Sequence, residues 1–431
     1  MIIATPFCNF LRLIQRRSRK KLLIVAGAGS SIDFGMPSVD DVHHFLLQSA
    51  NQFFPLAIRP NENLYGFMYE TIENYWKANL ASHLSKMPNF EDVLYAIYAL
   101  ASVYPAGIFT GPLGAFVTIK DFPEIIHLGR RKPLDANILR HLGQQLVDDL
   151  MNEFRRRCRL PDPTFTTKIE QLRHFISTLA EEFDVAVVTT NYDDLIYRSL
   201  PGIETGFDPA NGLFKQGRIL ARSSWPCFLH LHGSVHFDMD VIDGNLHGVI
   251  WQENLNEPFH QNSFGRSGVL TTEGQEFPTS SIIAGLGKTQ QIQRTPFRTY
   301  YSELERLVNN ADAVLFLGFS LADSHVRQAF TDFRDGRDRA VVFIDYAKNG
   351  TMLAGSDDQA NTGAARAIRV FRVGRGAMEW LGYRHLNSVD DLKAAREFER
   401  CTAPGRRLSI WYNGMLEACA NTDKIVRELK K

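Results

Sequence analysis

Five short runs of the chain are mostly apolar, and each gives way abruptly to small or polar residues. They cover residues 22–26, 185–190, 227–232, 313–317 and 340–344. Apolar runs of this length, rich in Val, Ile, Leu and Phe, predict strands buried on both faces, as in a parallel sheet covered by helices. Between them the apolar spacing changes to that of helices. Residues 169–182, 296–310 and 324–334 read as amphipathic helices, and residues 195–200 start a short one.

From about residue 40 to 165 the pattern is different. Long helical segments dominate, notably 89–100 and 138–158, with Asn89 placed to cap the first and Glu91 and Asp92 in its opening turn. The Pro- and Gly-rich stretch 105–133 reads as an irregular connection. Residues 252–290 are polar and glycine-rich, and a loop of that length is usually functional. The pattern therefore predicts an α/β chain: a Rossmann-like parallel sheet with a mostly helical insertion and a helical C-terminal tail. The sheet domain would be residues 1–39 and 166–349, the insertion 40–165 and the tail 350–431, with helices over 390–400 and 408–430. A further amphipathic helix is expected over 7–17.

Composition narrows the picture. Lys+Arg and Asp+Glu are equal at 48 each, so a net charge of zero argues against sequence-specific nucleic-acid binding by this chain. Five scattered cysteines without a C-x-x-C pair make a disulfide framework unexpected and fit a reducing cytoplasm. No apolar run approaches the length of a membrane span. At the N-terminus the apolar residues precede the basic ones, the reverse of a secretory signal.

The candidate chemistry lies where the strands end, because ligands of open α/β sheets bind outside the carboxyl ends of parallel strands. The first tip is Gly27-Ala28-Gly29-Ser30-Ser31, where glycines without Cβ let a pyrophosphate approach and the serines add hydroxyl donors. The second, Thr189-Thr190-Asn191-Tyr192-Asp193, offers Asn191 to a ribose hydroxyl or water and Asp193 either to a carboxamide N–H₂ or to an Asx turn that caps the next helix. The third, Leu231-His232-Gly233-Ser234, offers His232 as a general base, since imidazole titrates near neutral pH. His230 reads as a core histidine. Cys227, His230, His232 and His236 lack a second ligand cluster with metal spacing, so no metal is expected. The fourth tip is Gly318-Phe319-Ser320-Leu321, with Gly318 and Ser320 suited to the adenosine half or a phosphate and Asp323 to capping the next helix. At the fifth, Asp345 is suited to a ribose diol.

Together these tips resemble the sirtuin superfamily, and within it the sirtuin-like NADases of bacterial anti-phage defence. Gly27-Ala28-Gly29-Ser30-Ser31 continuing to Gly35-Met36-Pro37 is similar to the sirtuin G-A-G-x-S…G-I-P pattern. Thr189-x-Asn191-x-Asp193 is similar to T-Q-N-I-D, Leu231-His232-Gly233 to the segment with the sirtuin catalytic histidine, and Gly318-Phe-Ser-Leu-Ala-Asp-Ser-His325 to the defence-branch variant. Asn89-Phe90-Glu91-Asp92 also recurs in that branch. The resemblance covers roughly residues 20–346. Two departures matter. Ser38-Val39-Asp40 stands where protein deacylases have D-F-R, and their zinc module of two C-x-x-C pairs is absent.

The resemblance implies an NAD⁺ glycohydrolase that consumes NAD as its substrate, with catalytic Asn191 and His232. Gly27, Ala28, Gly29, Ser30, Ser31, Thr189, Asp193, Gly318, Ser320 and Asp345 would contact the dinucleotide. The alternatives are an NAD-dependent protein deacylase and a non-catalytic nucleotide-sensing or scaffold subunit. An NAD-degrading activity needs gating, so a cytoplasmic homo-oligomer is expected, controlled by a ring-forming HerA-type ATPase or another sensor partner.

Overall fold

The fold was described from a computed structural model. It covers residues 19–59, 61–79, 87–103, 122–242, 245–258, 268–270, 276–278, 280–285, 288–330, 339–351, 366–367, 370–371, 388–400 and 407–431. The helix expected over 7–17 lies outside these, as does residue 331 onward of the helix expected over 324–334.

The central sheet has seven strands: β1 (Lys21–Ala26), β2 (Asp184–Thr189), β3 (Cys227–His230), β4 (Ala313–Leu317), β5 (Ala340–Ile344), β6 (Glu399–Arg400) and β7 (Arg407–Trp411). Their order is β3-β2-β1-β4-β5-β7-β6. All neighbours pair in parallel except the short edge strand β6, which runs antiparallel to β7. With β7 as sixth strand, this is the 3-2-1-4-5-6 order of a doubly wound, Rossmann-like sheet. Strand order reverses between β1 and β4, and a crevice opens at their carboxyl ends.

The strand residues alternate between two cores, as the pleat requires. Leu22, Ile24, Val185, Val187, Leu315 and Val342 face one side; Leu23, Val25, Ala186, Val188, Phe316 and Phe343 face the other. The first side is covered by the helices α1 (Val39–Phe53), α2 (Leu64–Asn79), α3 (Phe90–Val103), α4 (Ala136–Arg159) and α5 (Thr166–Glu182). The second is covered by α7 (Phe297–Asn310), which follows the five-residue α6 (Lys288–Ile292). α7 buries Phe297, Tyr300, Leu304, Leu307 and Val308, one stripe at helical spacing. A short helix, α8 (Ser324–Ala329), follows β4.

Helix starts follow the local chemistry. Ser38 and Asp41 form a capping box at α1, so the segment after Pro37 opens a helix. Asn89 Oδ1 accepts from the backbone N–H of Glu91 (2.8 Å) and Asp92 (3.1 Å), the cap its position predicts.

The tail differs from its sequence reading. The helix expected over 390–400 ends early: Val389–Ala395 are helical, and Glu399–Arg400 form β6. Residues 408–430 are not one helix: Leu408–Trp411 belong to β7, paired with β5, and only then come α9 (Gly414–Ala420) and α10 (Thr422–Lys430). Leu408 and Ile410 fall on one sheet face and Trp411 on the other, the period of a strand. α9 and α10 pack Met415, Ala418, Ile425 and Leu429 into the same core as α5. A hairpin of Phe237–Ile242 with Asn245–Trp251, also unanticipated, follows β3.

Candidate active site

Each strand tip is fixed by its neighbour before any ligand is considered. The N–H of Gly27 donates to Leu317 O (3.0 Å) and that of Gly29 to Gly318 O (3.1 Å). A Cβ on Gly27 would stand 2.8 Å from Phe319 Cα, and one on Gly29 2.9 Å from Gly318 Cα. Gly318 itself has φ +52, and its Cβ would lie 2.2 Å from the Gly29 carbonyl carbon. The glycines therefore answer first to the close crossing of two backbones at the switch point. Their N–H groups lock that crossing and do not face a ligand. Leu321, three residues on, has φ 53 with its side chain fully buried. A non-glycine residue held there marks stored strain, which clusters at functional tips.

Above this crossing lies a cavity of about 500 Å³. Gly27, Ala28, Gly29, Ser31, Asn191, Asp193, His232, Gly318 and Ser320 all line it, so the structure brings these predicted residues together from four strand tips. Three others do not line it. Ser30 is fully buried behind the tip, and Thr189 turns inward so that its Oγ1 accepts from Asn191 N–H (3.0 Å). Asp345 lies at the end of β5, where its backbone pairs with Trp411 and Gly414 and its Oδ1 accepts from Tyr346 N–H (2.9 Å).

Asn191 is held from three directions. Its amide Nδ2 lies 3.0 Å from Gly27 O, 3.1 Å from Ser30 Oγ and 3.0 Å from Ser31 Oγ. A carbonyl accepts only, which fixes the flip of the amide. With its N–H groups spent on the first tip, Asn191 has its Oδ1 left to offer a ligand. Ser31 links onward to Asp193, whose Oδ1 also accepts from Leu195 N–H (3.1 Å). Burial pushes the Asp193 carboxyl up to about 6, against the pull of these hydrogen bonds.

His232 Nε2 stands 2.9 Å from Asp323 Oδ2, with the oxygen off the ideal line of the ring N–H. Burial lowers the His232 pKa, Lys288 lowers it further and Asp323 opposes both. Lys288 Nζ is 2.6 Å from the same oxygen. Burial alone would raise the Asp323 pKa, but His232 and Lys288 outweigh it and hold the carboxyl far below the usual range. Asp323 does cap α8, through Oδ1 to the N–H of His325 (2.9 Å) and Val326 (3.1 Å). Its second oxygen's contacts went unread in the sequence, because both partners are distant along the chain.

The helices between β1 and β2 also reach the site. Val39, Val42, Phe90, Glu91 and Phe154 form one wall of the cavity. Behind the site, His236 bridges Gln252 O (2.9 Å) and Asp194 Oδ2 (3.1 Å). His230 is fully buried with neither ring nitrogen hydrogen-bonded, and burial pushes it down to about 3. Among the described residues no group of three His, Cys, Asp or Glu side chains is arranged to hold a metal ion. Cys158, Cys227 and Cys419 are buried free thiols.

Four loops thus converge at the switch point of a doubly wound sheet. Residues 185–371 match the SIR2-like domain. The match runs from β2 past β5. Solved structures align over more of the chain. The structure of Sir2Tm bound to a propionylated peptide aligns at 13% identity, covering 86% of this chain and 100% of that one, with a TM-score of 0.29. The ADP-ribose complex of a mutant Sir2 homologue aligns at 11% identity over 78% and 83%, also with a TM-score of 0.29. A search of curated proteins finds no match. No described helix is long and apolar enough to cross a membrane.

Proposed function

We propose that the protein is an NAD⁺ glycohydrolase, cleaving NAD with water to nicotinamide, ADP-ribose and a proton, in a branch of the sirtuin superfamily devoted to anti-phage defence. The observation that carries this reading is the convergence of Asn191, Asp193 and His232 on one cavity beside the glycine crossing. NAD is the substrate, and the residues present fit it. The cavity is large enough to enclose much of a dinucleotide. Gly27, Gly29 and Gly318 keep its floor free of side chains, and Asp193 is positioned to accept from a carboxamide N–H₂.

Cleavage breaks the bond between ribose C1′ and the pyridinium nitrogen. The electron pair leaves with nicotinamide, and the sugar passes through an oxocarbenium-like state. Asn191 Oδ1 accepts a hydrogen bond from the attacking water or a ribose hydroxyl. Neutral His232 takes the water proton as the new C–O bond forms. Burial of His232 supports this role, since desolvation disfavours the protonated ring and leaves a nitrogen lone pair free to accept a proton.

The reading is tested by product analysis in ¹⁸O-labelled water, with and without an acylated lysine peptide. Nicotinamide and ADP-ribose are expected in equal amounts, with label on C1′ and no dependence on the peptide. Formation of O-acyl-ADP-ribose would overturn the reading in favour of a protein deacylase. Binding of ADP-ribose without cleavage of NAD would favour a nucleotide-sensing subunit.

A further inference from the structure

Three segments far apart in the chain meet around one carboxylate oxygen. His232 ends the segment after β3, Asp323 opens α8 after β4, and Lys288 opens α6. Asp323 has no freedom to turn, because its Oδ1 is tied to two backbone N–H groups of α8. That anchor aims Oδ2 at His232 Nε2, 2.9 Å away, and at Lys288 Nζ, 2.6 Å away. All three side chains line the cavity.

A neutral imidazole beside a carboxylate carries its proton on the nitrogen that faces the carboxylate. Here that is Nε2, which leaves the lone pair on Nδ1. A carboxylate alone would also draw a second proton onto the ring and use up the base. Lys288 offsets this by sharing the same oxygen. The charged groups acting on His232 are Asp323, Lys288 and Glu91 of α3, and the two carboxylates pull against Lys288 and burial. The off-line approach of Nε2 to Oδ2 matches catalytic contacts that tighten only once substrate is bound.

We propose that Asp323 and Lys288 are positioning residues for His232: Asp323 holds the ring proton on Nε2 so that Nδ1 is the basic atom, and Lys288 balances the Asp323 charge so that the ring stays neutral. This rests on the reading of His232 as the base in NAD cleavage.

The test uses the full chain with ¹⁵N-labelled histidine, and His232→Gln to assign the ring signals. Asp323→Asn keeps an oxygen for the cap of α8 but turns an N–H₂ toward the ring. Nε2 must then accept, and the proton moves to Nδ1. The expected spectra show the Nε2–H tautomer in the wild type and Nδ1–H in Asp323→Asn. Affinity for ADP-ribose stays within about twofold, while kcat falls on the order of 10²- to 10⁴-fold. Lys288→Met keeps the tautomer and moves the ring titration, and with it the acidic limb of the rate profile, to higher pH. A wild-type ring protonated on Nδ1, or an Asp323→Asn protein unchanged in both tautomer and kcat, overturns the inference. The spectra decide it independently of turnover. If NAD is not cleaved but the tautomers behave as stated, the glycohydrolase reading fails and the positioning of His232 stands.

Discussion

Asn191 and Asp193 sit two residues apart and are held by the same hydroxyl, that of Ser31, yet the site treats them differently. Asn191 is neutral and its two N–H donors sit among three acceptors, so burying its amide nitrogen is inexpensive. Asp193 is buried with hydrogen bonds that only partly offset its lost hydration. Its pKa is 3.8 in the unfolded chain and about 6 in the folded one. Between those values the folded protein holds a proton that the unfolded chain has released, so stability falls as pH rises from about 4 to about 6 and stays lowered above. Asp193→Asn removes this term. The variant is expected to exceed the wild type in stability at pH 7.5, by on the order of 1–3 kcal/mol, with the gain shrinking toward pH 4. Calorimetric Tm values at the two pH values check this, and an equal gain at both contradicts it. At this scale the sequence revealed residue types at strand ends but not which way each side chain turns. Ser30 and Thr189 hold Asn191 in place, and that distinction depends on backbone geometry no motif records.

The five strands and the order of their tips were legible because buried parallel strands are continuously apolar and end in small residues. β7 was not. In residues 408–416 the apolar positions Leu408, Ile410, Trp411, Tyr412, Met415 and Leu416 fit a helical stripe almost as well as a strand. The register with β5 decides the matter, and it pairs residues far apart in sequence. Trp411 is fully buried and packs against Phe398 at 5.3 Å between ring centroids. Trp411→Ala is expected to destabilise the protein by about 3–5 kcal/mol. Urea denaturation measures this; a loss below ~1 kcal/mol would mean that β7 is peripheral to the fold. The glycine tips teach a related lesson. Their pattern marks the right corner, but the crossing of β1 and β4 requires the missing Cβ atoms before any pyrophosphate does.

Across the whole molecule, the sheet positions four loops at one switch point and the helices on either face hold them there. Residues 40–165 read in sequence as a mostly helical insertion. In the structure α1, α3 and α4 supply a wall of the cavity through Val39, Val42, Phe90, Glu91 and Phe154. Nothing in the helical spacing marks those residues as cavity-facing, since an apolar stripe looks the same whether it meets a core or a substrate. The central claim is that this cavity breaks the nicotinamide–ribose bond with Asn191 and His232. The most direct test is nicotinamide release from NAD, measured side by side for the wild type, Asn191→Ala and His232→Ala, each shown to be folded by circular dichroism. Release by the wild type and a fall on the order of 10²–10³-fold in both variants are expected. Equal release by all three proteins would contradict the account.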